Sequence, residues 1–144
     1  MFQTILIPTD FTPAAWKAMQ VGAALGEIHK SHLTILYVYP ISNGITKEKL
    51  TKDVSTELKK IKNKMEKLSK EVAQEKGLKI STVVLSGNIE KQLLSYLNEH
   101  PSDLVIMGVN SNGEDNNPGS HTVEIIRQSS APLLIVPNSY SIDE

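Results

Sequence analysis

The stretch LVIMG at residues 104–108 indicates a strand that is covered on both faces. Its apolar residues follow one another without the alternation of polar and apolar side chains that a half-exposed strand shows. Helix patterns lie on either side of it, at residues 87–100 and from about Thr122 to Ser129. A buried strand between helices is typical of a parallel sheet with helices on both faces.

Strand and helix patterns alternate along the rest of the chain as well. Strands are predicted at residues 2–8, 32–39, 78–86, 104–108 and 132–136. A helix is predicted at residues 13–29, with Thr12 as its cap and Pro13 in its first turn. A second helix is predicted at residues 50–76 and ends at Gly77. A third helix follows the cap Asn88. The alternation predicts the α/β class, with an open five-stranded parallel sheet and helices on both faces.

The composition predicts one globular domain over residues 1–138 and a frayed tail over residues 139–144. The 144 residues are 40% hydrophobic and 22% charged, which is typical of soluble globular proteins. The chain has no cysteine, which excludes disulfides and thiol chemistry and fits a cytoplasmic location. The net charge of −1 favours neither nucleic acid nor membrane as a partner.

Two charged features are interpreted as surface rather than as sites. Residues 47–76 hold ten lysines and six acidic residues, which we interpret as the solvated face of a helix. His29 and His32 could be read as a pair of metal ligands, but they straddle a helix end and lack a third ligand nearby. We therefore predict no metal bound by these histidines.

The carboxyl ends of parallel strands are where ligands bind in open α/β sheets. The first strand ends in Pro8, Thr9 and Asp10. The Asp10 carboxylate has two interpretations, since it can bond loop amides before a helix or bond a hydroxyl or amine of a ligand. Both interpretations remain open on the sequence alone.

A second candidate lies at the carboxyl end of the fourth strand. Gly108 permits the backbone there to approach a ligand closely. The GSHT stretch at residues 119–122 opens a helix, whose unpaired N–H groups and hydroxyls suit an anion. Alternatively, Ser120 or Thr122 only caps that helix. The chain lacks the P-loop, dinucleotide and nucleophile-elbow motifs and any acid–base set, so we expect a slow ATPase at most.

Five stretches together resemble the universal stress protein family. They are ILIPTDFT (residues 5–12), LTILYVY (33–39), SGNIEKQLLSYL (86–97), SDLVIMGVNS (102–111) and GSHTVEIIRQSSAPLLIVP (119–137). The resemblance implies a Rossmann-like, adenine nucleotide alpha hydrolase-like fold with strand order 3-2-1-4-5. It also implies a stress-response role and a homodimer paired through the last strand, here Pro132 to Val136.

The resemblance implies an adenine-nucleotide site as well. Thr9 and Asp10, with Pro8 beside them, would face the adenosine, and the backbone of Val38 would meet the adenine edge. Met107 and Gly108 would line the base or ribose. Gly119, Ser120, His121 and Thr122 would hold the phosphates through backbone amides and hydroxyls, with Mg²⁺ if the ligand is a triphosphate. Ser111, at a position of the glycine loop, belongs to the same candidate site.

The glycine loop departs from the pattern of the family's ATP-binding members, Gly-x2-Gly-x9-Gly-Ser/Thr. Gly108 and Gly119 match, but Ser111 replaces the second glycine and the loop is two residues shorter. Glu114 and Asp115 would repel a triphosphate. Two hypotheses follow: a protein that binds ATP, ADP or AMP with a degenerate phosphate loop, and a nucleotide-free dimeric module that acts through protein partners.

Overall fold

Strands and helices alternate along the chain as the sequence predicts. The computed structural model describes residues 2–41, 55–109 and 120–141. The strands are β1 (Thr4–Pro8), β2 (His32–Pro40), β3 (Lys79–Gly87), β4 (Leu104–Val109) and β5 (Leu133–Pro137). The helices are α1 (Pro13–His29), α2 (Ser55–Lys76), α3 (Ile89–Glu99) and α4 (Ser120–Gln128). Residues 50–54, predicted to begin α2, lie outside the described part.

The five strands form one parallel sheet in the order β3-β2-β1-β4-β5. The predicted fold class and strand order are thereby confirmed. The chain starts in the middle of the sheet, builds outward to β3, and then crosses to β4 and β5 on the other side of β1. The strand order reverses between β1 and β4, and ligands bind at such a reversal in open α/β sheets.

Helices cover both faces of the sheet, which explains why its central strands are apolar throughout. Ile5 and Ile7 of β1 pack in a cluster with residues of α1 and α2, whereas Leu6 packs in a cluster with residues of α3 and α4. Successive side chains of a strand point to opposite faces, so one strand serves both clusters. The buried helical members of the clusters are Ala18, Met19, Ala23, Met65 and Val72 on the first face and Leu93, Leu97 and Ile125 on the second.

The predicted helix-end signals act where they were expected. The hydroxyl of Thr12 accepts a hydrogen bond from the Ala15 N–H, and proline occupies the first turn of α1. The side chain of Asn88 accepts from the Lys91 N–H at 2.9 Å and caps α3. Gly77, which follows α2, has a φ of 67°. These local signals therefore set three of the helix ends.

Helix α4 differs from its prediction at both ends. It begins at Ser120 rather than near Thr122, and it ends at Gln128 rather than at Ser129. Thr122 is the third residue of the helix and is buried, so it does not cap the helix from outside. Ser120, His121 and Thr122 thus form the first turn itself.

Asp103 joins the amino ends of β1 and β4. Its carboxylate accepts hydrogen bonds from the N–H groups of Gln3, at 2.9 Å, and Thr4, at 3.0 Å. Its own N–H donates to the Thr4 carbonyl at 3.0 Å. One side chain next to β4 thus holds the start of β1, whose residues stand 99 and 100 positions away from it in the sequence.

The residues after β5 are partly held by the body of the protein. The Lys17 ammonium donates to the Tyr140 carbonyl, and the Tyr140 N–H donates to the Pro137 carbonyl at 3.0 Å. Residues 142–144 lie outside the described part. Fraying of residues 139–144 and the domain boundary at 138 stay predictions.

Candidate functional site

A small cavity lies at the carboxyl ends of β1 and β2. Its volume is about 150 Å³. It is lined by Pro8, Thr9, Asp10, Leu36, Tyr37, Val38, Pro40, Ile89 and Leu93. The family resemblance assigned four residues at the ends of β1 and β2 to the adenosine or beside it, namely Pro8, Thr9, Asp10 and Val38. The structure brings these four residues together around one space.

The loop after β1 is shaped by the two polar residues of the cavity. The Thr9 N–H donates to the Leu36 carbonyl at 2.8 Å, which extends the pairing of β1 and β2 by one residue. The Thr9 hydroxyl accepts from the Phe11 N–H at 3.1 Å. The Asp10 carboxylate accepts from the N–H of Thr12, at 3.1 Å, and from its hydroxyl.

These bonds are the ones that the structural interpretation of Asp10 predicts. They use a single carboxylate oxygen, Oδ1, while the side chain stays exposed at the cavity. The loop-bonding role is therefore observed. The ligand-bonding role stays a prediction, and one carboxylate has enough acceptor capacity for both.

Apolar side chains form most of the cavity wall. Val38 is buried on β2, and Ile89 and Leu93 project from the start of α3. Burial, with smaller contributions from Tyr39, Asp10 and Glu57, raises the pKa of the Tyr37 phenol. The phenol therefore stays neutral at physiological pH. An apolar wall with a few polar groups at one side is the usual form of a small-molecule site.

Sequence reasoning missed the two wall residues of α3. The available signal was that Ile89 follows the Asn88 cap directly and that Leu93 lies four residues later, on the same helix face. A helix that begins next to the carboxyl edge of the sheet presents its first turn to that edge. Apolar residues at a helix start are common in any core, so this pair carries no specific sign of a ligand site by itself.

Met107 and Gly108 lie on β4, across the reversal of strand order from β1. Among the described residues, the cavity lining contains neither of them. Met107 packs instead against the cluster under α3 and α4. A Cβ atom built on Gly108 would lie 2.1 Å from the carbonyl oxygen of Ala14. The close approach that the structure shows at Gly108 is to the backbone of α1. The predicted approach to a ligand stays a prediction.

The remaining predicted phosphate-site residues belong to the region around the start of α4. Thr122 is buried in that helix. Ser111 and Gly119 lie outside the described residues, and so do the side chains of Ser120 and His121. Their predicted roles therefore stay predictions.

The two histidines at the opposite end of the sheet have separate neighbours. The His29 ring meets the Phe2 ring edge-on, with centroids 5.3 Å apart. The Nε2 atom of His32 lies 2.7 Å from the Ser81 hydroxyl. Within residues 2–41, 55–109 and 120–141, no three His, Asp or Glu side chains gather as a metal site would require.

None of the helices in those ranges is long and apolar enough to cross a membrane.

The sheet order, the covered faces and the cavity at the carboxyl edge define the class of protein: a doubly wound α/β domain of the adenine nucleotide alpha hydrolase-like type. The model of the universal stress protein family matches residues 1–137. The chain therefore belongs to the universal stress protein family, as its sequence motifs indicate.

Individual relatives agree with this assignment. Universal stress protein Sll1654 of Synechocystis is 29% identical over 140 residues, covering 95% of this chain and 87% of the relative. The solved structure of UspA from Lactobacillus plantarum has a TM-score of 0.83 and 24% identity, covering 94% of this chain and 97% of that one. A family protein from Arabidopsis thaliana, solved with AMP bound, has a TM-score of 0.69 and 12% identity, covering 94% and 91%.

A further structure of the same fold is described as a universal stress protein in complex with cAMP. It has a TM-score of 0.69 and 19% identity, and the match covers 96% of this chain and 98% of that one. At 19% identity, this similarity shows that the two proteins share a fold.

Proposed function

We propose that this protein binds an adenine nucleotide (ATP, ADP or AMP) with the adenosine at the cavity between β1 and β2. The observation that carries the proposal is the gathering of Thr9, Asp10 and Val38 around an apolar space at the carboxyl edge of the sheet. Apolar walls suit the flat faces of a purine, and the polar residues suit its amine and the ribose hydroxyls. Family members solved with AMP and with cAMP support the choice of ligand class.

The size of the cavity limits how much of the ligand it holds. At about 150 Å³ it is smaller than the roughly 300–1,000 Å³ of complete small-molecule sites. The base would enter it, and the ribose and phosphates would extend across the reversal of strand order. Met107, Gly108 and Ser111 would lie along that path, and Gly119, Ser120, His121 and Thr122 would hold the phosphates, with Mg²⁺ accompanying a triphosphate.

Calorimetric titration of the nucleotide-stripped protein with adenosine, and separately with ATP and Mg²⁺, tests both halves of the site. We expect Asp10→Asn to weaken both ligands about 10- to 100-fold, because it removes a charged hydrogen-bond acceptor. Ser120→Ala should weaken ATP and leave adenosine unchanged.

The matched control is Thr12→Ala, which removes the hydroxyl bond to Asp10 and the helix cap but keeps the backbone N–H bond to Asp10 and the cavity lining. Its effect on affinity should be smaller than that of Asp10→Asn. Equal losses in the two variants would assign Asp10 to the loop alone. Absence of binding at about 1 mM ATP would contradict the proposal.

The second candidate function is a nucleotide-free interaction module of the same family. Ser111 in place of a glycine and the acidic pair Glu114 and Asp115 favour it, because two carboxylates near a triphosphate repel it. If neither adenosine nor ATP binds, this function replaces the first. Protein partners would then be the ligands to identify.

We further propose that two copies of the chain form a homodimer through β5, which is an edge strand of the sheet. Leu134 on β5 is 38% exposed, and Val123 and Ile126 on α4 are exposed at 40% and 49%. Pairing of the last strands would satisfy the open backbone edge and cover apolar surface, which removes an aggregation hazard.

The cellular role we propose is that of a cytoplasmic stress-response or signalling protein, after the family to which the chain belongs.

A further inference from the structure

Phe11 has a backbone conformation that bulky residues avoid. Its φ is 63°, in the left-handed region where side chains meet the backbone. Lys30 has a similar φ of 54°, but it caps the end of α1, where this conformation is common. Phe11 occupies no such position. A strained residue of this kind persists only when its surroundings hold it in place.

The bonds that hold Phe11 come from the cavity residues. The Phe11 N–H donates to the Thr9 hydroxyl, and on its other side the Thr12 N–H donates to the Asp10 carboxylate, both at 3.1 Å. Thr9 and Asp10 also line the cavity. The hydrogen bonds that hold the backbone around Phe11 therefore also hold the side chains of Thr9 and Asp10 at the cavity.

The ring of Phe11 is held by different elements, on the face of the sheet that α1 and α2 cover. It lies 5.1 Å from the Tyr37 ring, between centroids, at an interplanar angle of 38°. The Lys64 ammonium of α2 stands 4.4 Å from its centroid, a cation–π distance. The cavity walls Leu36, Val38 and Leu93 pack with the opposite face. Tyr37, which the Phe11 ring contacts, lines the same cavity. Phe11 thus connects the cavity at the carboxyl edge of the sheet with helix α2.

We infer that Phe11 is a positioning residue that couples occupancy of the cavity to the basic helix α2, an inference that rests on the proposed nucleotide binding. A ligand that bonds the Thr9 hydroxyl or the second carboxylate oxygen of Asp10 re-orients side chains whose other bonds hold the loop around Phe11. The ring moves with that backbone, and Lys64 responds because it rests on the ring. Coupling between two sites is reciprocal, so weakening the contact on α2 lowers the affinity of the cavity.

The first test needs no ligand. Hydrogen exchange of the Phe11 and Thr12 amides is compared between wild type, Lys64→Ala and Lys62→Ala. Lys62 points away from Lys64, since each helical residue turns by about 100°. We expect exchange about two- to five-fold faster in Lys64→Ala and unchanged in Lys62→Ala, given the strength of an exposed cation–π contact. Equal exchange in both variants would overturn the coupling.

The second test adds ATP and Mg²⁺. Phe11→Leu, which lacks a π face, should weaken ATP binding, and Phe11→Tyr, which retains the ring, should preserve it. ATP should change exchange around Lys64 in wild type and in Phe11→Tyr but not in Phe11→Leu. Equal affinity in the two variants overturns the inference. Failure of wild type to bind ATP overturns the proposed function instead, while the ligand-free test still decides whether the loop and α2 are coupled.

Discussion

The absence of a side chain at Gly108 is what allows β4 to lie against the first turn of α1. A Cβ at this position would stand 2.1 Å from the carbonyl oxygen and 2.3 Å from the carbonyl carbon of Ala14. These are backbone atoms, so rotation of a side chain cannot relieve the overlap. The carboxyl end of β4 and the start of α1 would have to separate.

We therefore predict that Gly108→Ala lowers the free energy of unfolding by about 3 kcal/mol, at the upper end of the cost of overpacking. Urea denaturation of the variant and of wild type measures it. Gly77→Ala is the matched control, because that glycine has a positive φ but open space around it. It should cost about 1–2 kcal/mol through its backbone conformation alone. A Gly108→Ala protein as stable as wild type would contradict the observed contact.

Single residues were predictable from the sequence where a motif or a cap identified them. The motif around Asp10 placed three of the cavity residues, and its two interpretations needed the structure to show the bonds to Thr12. Gly108 was recognised as a point of close approach, but its partner depends on how α1 crosses the sheet. Ile89 and Leu93 were missed for the same reason, since their shared contact with the cavity arises only from tertiary packing.

At the scale of elements, the amino end of α3 supports the cavity wall. Asn88 caps this helix through its bond to the Lys91 N–H. Ile89 and Leu93 extend from the first two turns that the cap stabilises. The cap and the wall are therefore adjacent parts of one short helix.

Asn88→Ala should lower the free energy of unfolding by about 1 kcal/mol, the usual cost of losing an N-cap. Asn88→Asp keeps the acceptor and should stay near wild type. Thermal and urea denaturation of the three proteins make the comparison. A loss of equal size in both variants would mean that the capping bond is not what Asn88 contributes.

The elements themselves were largely predictable because their local signals agree with their tertiary environment. Continuous apolar runs indicated buried strands, and the caps at Thr12 and Asn88 indicated helix starts. Helix α4 begins two residues earlier than predicted. Its start offers several residues that can cap or enter a helix, so local chemistry alone does not choose among them.

At the scale of the whole molecule, the exposed edge at β5 leads to a prediction about assembly. Leu134→Lys places a charge on the edge strand, which discourages strand pairing. We expect the variant to be monomeric where wild type is dimeric, as measured by analytical ultracentrifugation. Ile28→Lys is the control, since Ile28 is 74% exposed on α1, outside the edge strand. A monomeric wild type, or a dimer that Leu134→Lys leaves intact, would contradict pairing through β5.

The topology of the molecule was predictable only in part from the pattern of elements. Alternating strands and helices indicated a parallel sheet, but several strand orders satisfy such a pattern. The order β3-β2-β1-β4-β5 followed from the family resemblance. It depends on contacts between residues far apart in the chain, and hydrophobic periodicity describes only near neighbours.

The bonds from Asp103 to Gln3 and Thr4 have a consequence for the kinetics of folding. They join residues about a hundred positions apart, and they align the central strand with a neighbour that is synthesised much later. Long-range pairing of this kind slows folding, because the entropy of closing a long loop must be lost before the contacts form. During synthesis, one edge of β1 therefore stays unpaired until β4 has been made.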